Sequence, residues 1–184
     1  MSRIKIPANV QSAPEGSRAQ LEAVGKSLGV VPNLFRVVGN SPAALKGYLG
    51  MSAALSGAAL DARTQERIAL ALAEINGCDY CLSAHTFLGR KVAKLDDAEI
   101  TANRNGASND PKASAAVRFA AEIVKQRGHV ADEAVAAVKA AGYGDAEIVE
   151  IVLAVALNTF TNYVNEVAQT AIDFPTIHAR RAAA

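Results

Sequence analysis

Apolar residues recur along this chain at helical rather than strand spacing. Leu21, Val24 and Leu28 make one stripe on a helix opened by Pro14-Glu15 and running to about Leu28. Val30 to Phe35 reads as a turn into a short helix ending near Gly39. Ser41-Pro42 is an N-cap with proline at the first helical position, starting a helix that carries Leu45, Tyr48, Leu49 and Leu55 up to Gly57. Asp61 caps the next helix, whose interior from Ile68 to Ile75 is apolar almost all round except Glu74, the pattern of a buried central helix. Asn76-Gly77 stops it, and Cys78 to Val92 reads as a further helix. Asp96 to Glu99 fits a capping box, Asn103 to Asn109 a polar loop, and Asp110-Pro111 the start of a helix ending near Arg127-Gly128. A short alanine-rich helix over 132–140 stops at Gly142, and Asp145 opens a long one to about Ile172, ended by Phe174-Pro175. Residues 1–13 form an extended lead-in and 175–184 a mobile tail. No segment alternates with β-branched enrichment, so the expected fold is all-α, a single-domain helical bundle over 1–184.

Composition narrows the function classes. The 184 residues are 51% hydrophobic and 20% charged, which suits one globular domain with a sizeable core. A formal net charge of +1 gives no basic footprint, so no nucleic-acid or membrane partner is expected. The N-terminus lacks the apolar run of a signal peptide, and no stretch reads as a membrane span free of polar breaks, which makes a cytoplasmic location the expectation. In that reducing compartment a close cysteine pair is redox-active or metal-binding rather than a permanent bridge. Alanine-rich buried helices with few aromatics suggest apolar surface covered by subunit contacts, hence a homo-oligomer.

The candidate chemistry lies between Glu66 and His85. Cys78, Cys81 and His85 are spaced i, i+3 and i+7, which places them on one helix face, with both cysteines in its first turn. A helix N-terminus favours an anion by about 0.3–2 kcal/mol and one pKa unit is about 1.36 kcal/mol, so the dipole alone takes a thiol from about 8.5 to about 7.5. A base is still required at neutral pH, and His85, one turn beyond Cys81, is placed to serve. Glu66 fits two roles, orienting that histidine or serving as an ordinary first-turn carboxylate. The i, i+3 sulfurs lie within disulfide reach after a small adjustment, giving a strained and readily reduced bond. Cys78, Cys81, His85 and Glu66 also suffice as four zinc ligands, although structural zinc sites draw a second ligand pair from elsewhere in the chain. Tyr80 reads as a wall of the site, and Leu34, Phe35, Tyr48 and Phe87 as apolar pocket candidates that equally suit core packing. Asn158, Asn162 and Asn165 thread the last helix and are read as helix–helix hydrogen-bonding groups. Asp145 and Glu150 echo Asp61 and Glu66 at a constant offset, a likeness that two alanine-rich helices produce without kinship.

Glu66, the Cys78-Asp79-Tyr80-Cys81 run and His85, with flanking V-P-N-L-F-R, N-S-P-A and D-F-P pieces, resemble the alkylhydroperoxidase D-like branch of the carboxymuconolactone decarboxylase family, in its peroxidase-related subgroup. The resemblance implies an all-helical fold of that type, homo-oligomeric assembly and thiol-dependent reduction of organic hydroperoxides without haem, flavin or metal. Cys81 would be the peroxidatic thiolate, Cys78 a more exposed resolving cysteine, and His85 with Glu66 the proton relay. No cofactor is then needed beyond the redox-active disulfide, which an external dithiol, thioredoxin-like or lipoyl-type, would reduce. Tyr80 stands where the characterised alkylhydroperoxidases carry a second histidine. Two other readings remain: a redox-sensing or interaction module switched by a Cys78–Cys81 disulfide, and a carboxymuconolactone decarboxylase-like enzyme.

Overall fold

The computed structural model describes residues 2–180. Among them the regular structure is helical throughout: α1 (Glu15–Leu28), α2 (Asn33–Val38), α3 (Pro42–Ser56), α4 (Ala62–Ile75), α5 (Asp79–Lys91), α6 (Asp97–Arg104), α7 (Pro111–Gln126), α8 (Asp132–Ala140) and α9 (Asp145–Ala168). The starts are set by the expected caps. Ser41, Asp61, Asp96 and Asp110 each accept a hydrogen bond from a backbone N–H of the first turn, satisfying donors that have no partner inside the helix.

Helix α4 is the axle. It packs on α5, α6, α7 and α9, and Ile68, Leu70 and Leu72 are wholly buried, each contributing about 1.5–3 kcal/mol relative to exposure. Two apolar clusters meet along it. One joins α4 to α7, α8 and α9 through Ile68, Leu72, Val117, Phe119 and Ile151. The other joins it to α1, α2, α3 and α5 through Leu21, Leu34, Leu45, Leu70 and Leu82, and contains both cysteines.

Helix α9 differs from expectation at two points. It stops at Ala168 rather than near Ile172, because Gln169 turns left-handed (φ 48°) and the N-terminal segment fills the last carbonyls: Arg3 N–H donates to Ala168 O at 2.6 Å and Ser2 Oγ to Gln169 O at 2.8 Å. The lead-in is therefore docked, with a 3-10 turn over Val10–Ser12. By length and composition α9 is also apolar enough to cross a membrane, with mean hydropathy 1.3 in its best window. In this fold it is packed against α3, α4 and α7 and buries Asn158, Asn162 and Asn165.

The tail expected to be mobile from residue 175 is instead pinned as far as Arg180; residues 181–184 lie outside the described residues. Ile177 N–H donates to Ser83 Oγ at 2.9 Å, Ala179 N–H to Asp79 Oδ1 at 2.9 Å and Arg180 N–H to Glu74 Oε1 at 2.7 Å. Arg104 closes the arrangement, its Nη2 on His178 O and its Nε on Glu74 Oε2. Glu74, given no role from sequence, thus ties the strap of residues 174–180 to α4 and α6. Its carboxyl sits below the usual range: burial alone would raise it, and the Arg104 and Arg180 hydrogen bonds and charges outweigh that.

Candidate active site

Gly77 adopts φ 67°, the left-handed conformation that costs a glycine nothing, and lets Cys78 N–H fold back onto Ala73 O at 2.9 Å. This turn delivers Cys78 to the N-cap of α5 rather than to its first turn. Its sulfur accepts the Cys81 N–H at 3.3 Å, in the role usually filled by a serine or aspartate oxygen. Cys81, three residues on, is 2% exposed and lines a cavity of about 530 Å³. The same cavity is walled by Leu34, Tyr48, Leu55, Leu88 and Leu157 and receives Glu66 and His85.

His85 Nδ1 meets Glu66 Oε1 at 2.9 Å across the α4–α5 interface, so the two sequence candidates are joined in space. With Nδ1 engaged, Nε2 is the nitrogen left to exchange a proton with the cavity. Burial by itself would push the imidazole down, but the Glu66 charge and hydrogen bond, with the Cys81 charge added, carry its pKa above the ordinary value. Arg67, beside Glu66 in sequence, does not compete for that carboxylate. It is buried on Glu99 at 2.7 Å, and Glu99 is held at about 2 against burial by hydrogen bonds from Ser108, Asn109, Asn103 and Arg67.

The two thiols are free and inequivalent. Cys81 is lowered to about 7, first by a hydrogen bond from the Cys78 thiol, against burial, then by the His85 charge and the side-chain amides of Asn165 and Asn162. Cys78 moves the opposite way, because its S–H is held on Cys81 and it is buried beside the charge that forms there. The anion is therefore concentrated on Cys81, and Cys78 is its proton-bearing neighbour.

Residues 42–126, from the first residue of α3 to the last of α7, match the sequence profile of the carboxymuconolactone decarboxylase family. Over that stretch, a little under half of its length, the chain is similar to the carboxymuconolactone decarboxylase family. Among solved structures, it resembles an uncharacterized peroxidase-related protein from Silicibacter sp. TM1040, with TM-score 0.78 and 22% identity over 93% of this chain and 94% of that one. The alkylhydroperoxidase AhpD core of an uncharacterized peroxidase-related protein from Ralstonia eutropha JMP134 superposes with TM-score 0.78 and 23% identity, over 94% and 92% of the two chains. A variant of the debrominase Bmp8 in complex with 2,3,4-tribromopyrrole gives TM-score 0.76 and 19% identity over 94% of each chain. No functionally curated protein matches significantly. These likenesses establish the alkylhydroperoxidase D-like helical fold.

Within this helical core, several expectations are corrected. Cys78 is not the more exposed thiol: it is wholly buried, in a cluster with Ala179, Ile177 and Phe174. The cause is the pinned strap, which crosses the first turns of α5. Phe35 does not line the cavity; its ring packs on Tyr48 at 5.3 Å between centroids. Phe87 is on the other side of α5, 39% exposed and against Phe174. Tyr80 does line the cavity, but its hydroxyl is committed, accepting Leu34 N–H at 3.1 Å, and burial pushes its pKa up, so it is a wall. Among the described residues no group of three or more His, Cys, Asp or Glu side chains is placed to hold a metal ion.

Two residues were undervalued in sequence. Asn165 Nδ2 lies 3.2 Å from Cys81 Sγ, and Asn162 is locked to Asn76. Their spacing with Asn158 on an otherwise apolar helix was the available signal, and helix–helix bonding is only part of their role. Glu150, the echo of Glu66, faces no histidine; it accepts Ala59 and Leu60 N–H at 3.0 and 2.7 Å.

Proposed function

We propose that the protein is a cytoplasmic thiol peroxidase for organic hydroperoxides, with Cys81 as the attacking thiolate. The observation that carries this reading is the meeting, in one apolar-walled cavity, of a low-pKa thiol with a histidine raised by its carboxylate partner. The Cys81 thiolate attacks one peroxide oxygen; the O–O bond breaks and the alkoxide takes a proton from His85, giving a sulfenic acid and an alcohol. The Cys78 thiol then attacks the Cys81 sulfur, forming the disulfide and releasing water. An external dithiol, thioredoxin-like or lipoyl-type, returns both thiols and becomes a disulfide itself. No resident cofactor enters these steps. Exposed Val149, Val152, Tyr163 and Val167 along α9 support assembly with further copies.

The test is a thiol count over time on reduced protein given an organic hydroperoxide. Wild type is expected to lose both thiols rapidly, while Cys81→Ser keeps its remaining one. Loss no faster than that of free cysteine would overturn the reading. Single-turnover oxidation that no dithiol can recycle would instead favour the redox-sensing module. A second reading puts the same thiols on a carbon–halogen bond, as the debrominase likeness suggests. The leucine walls of the cavity, which offer apolar contact to a halogenated substrate, favour it. There two thiols and a brominated ring give the reduced ring, a disulfide and hydrogen bromide, so bromide release from a bromopyrrole separates the two.

A further inference from the structure

Both asparagines at Cys81 lie on α9, outside the segment that matches the family. Asn165 is 2% exposed and its Nδ2 reaches Cys81 Sγ at 3.2 Å. Asn162, one turn earlier on the same face, is wholly buried. Its Oδ1 accepts from Asn76 Nδ2 at 2.8 Å, which decides the end of the amide that is left over. That end, Nδ2, is buried with no hydrogen-bond partner, and the Asn162 amide is among the groups that lower Cys81. A buried amide N–H without a partner is costly, and a thiol is a poor acceptor where a thiolate is a good one. A thiolate at Cys81 is the acceptor this idle donor lacks.

We infer that Asn165 and Asn162 form a two-amide clamp for the Cys81 thiolate, with Asn76 as the positioning residue that turns the Asn162 N–H toward the sulfur. Asn76 is also the C-cap of α4, two residues before Cys78, so one turn sets both the cysteine pair and the clamp. The inference deepens the proposed function, resting on Cys81 as the reacting sulfur. It divides the labour at the site: the amides hold charge and do not titrate, whereas His85 handles the proton. The other ionisable groups around Cys81 are Cys78 and His85 on its own helix, Tyr80 beside it, and Tyr48 on α3, whose phenol burial and the Cys81 charge keep protonated.

The test uses full-length Cys78→Ser protein, in which Cys81 is the sole thiol, and follows its alkylation by iodoacetamide against pH. Asn165→Leu, similar in volume but without a donor, is expected to cut the thiolate fraction at pH 7 about fivefold to tenfold by moving the profile to higher pH. Asn162→Leu and Asn76→Ala should move it in the same direction, about twofold to threefold. Should Asn165→Leu not fold, the other two variants carry the same prediction. Unmoved profiles in natively folded variants would overturn the clamp. No hydroperoxide is used, so the result stands whether or not the peroxidase reading survives; failure of that reading shows only in the thiol count above.

Discussion

Cys81 opens onto a cavity of about 530 Å³, and Cys78, three residues earlier, is sealed in a cluster that the C-terminal strap helps to close. Both sulfurs are buried, and it is their surroundings that differ. In the cavity lies the histidine–carboxylate pair, whose His85 charge favours a sulfur anion, and the amides of Asn165 and Asn162 on α9 favour it too. On the strap side Phe174, Ile177 and Ala179 supply apolar cover, and the thiol is kept protonated. A pair of identical side chains is thus divided by environment alone into a thiol whose pKa is lowered and one whose pKa is raised. On the proposed function, the division also separates two kinds of access, a small substrate by the cavity and a reductant by the strap beside Cys78.

The largest effect should come from exchanging the two sulfurs for oxygen in turn. Cys81→Ser is expected to remove hydroperoxide consumption altogether, since serine at neutral pH is no substitute for a thiolate. Cys78→Ser should keep a single round of oxidation and then stop, leaving a sulfenic acid on Cys81 that dimedone traps and mass spectrometry detects. If dimedone labels the protein only when Cys78 is the cysteine retained, the roles are reversed and the comparison collapses.

A smaller effect, about tenfold, is expected from loosening the strap. Arg180→Ala removes the guanidinium from Glu74 and Asn105, and Ser83→Ala removes the hydroxyl that accepts Ile177 N–H. In the double variant, reduction of the oxidised protein by dithiothreitol should accelerate, while the rate at which hydroperoxide oxidises Cys81 stays as in wild type. Equal acceleration of both steps would mean that the strap guards the whole site. No change in either would mean that reductant attacks the Cys81 sulfur through the cavity.

Helix starts were legible because caps are local: Asp61, Asp96 and Asp110 each cap as their positions say, although the expected box at Asp96 forms only by half, the Glu99 carboxylate being taken by Arg67, Asn103, Ser108 and Asn109. The grouping of Cys78, Cys81 and His85 was legible for the same reason, all three belonging to one short helical stretch. The end of α9 and the strap were not, because both are decided by partners more than ninety residues away, Arg3 for the helix end and Glu74 and Ser83 for the strap. The burial of Cys78 follows from the strap and was lost with it. Phe35 and Phe87 failed as pocket residues because aromatic character does not say which side of a helix faces a cavity. Glu66 lies between these cases: its helix was readable, but its distance to His85 was a tertiary fact.

That distance gives the subtlest prediction. Glu66→Gln keeps an oxygen for the His85 Nδ1–H but removes the charge. In wild type the rate should rise as pH passes about 7, where the Cys81 thiolate forms, and fall again above the raised pKa of His85, where the proton donor is lost. Without the Glu66 charge the imidazole loses its proton at lower pH, so the alkaline limb moves down. Cys81 then loses part of its cationic neighbour, so the acid limb moves up. The bell narrows from both sides, and the rate at pH 7 falls about threefold to tenfold, with the strap-side reduction step unaffected. A uniform loss at every pH, with the limbs where they were, would show that Glu66 holds His85 in place and leaves its charge alone. An unchanged profile would remove Glu66 from the cavity side of the comparison, and the amides of α9 would carry the difference between the two sulfurs.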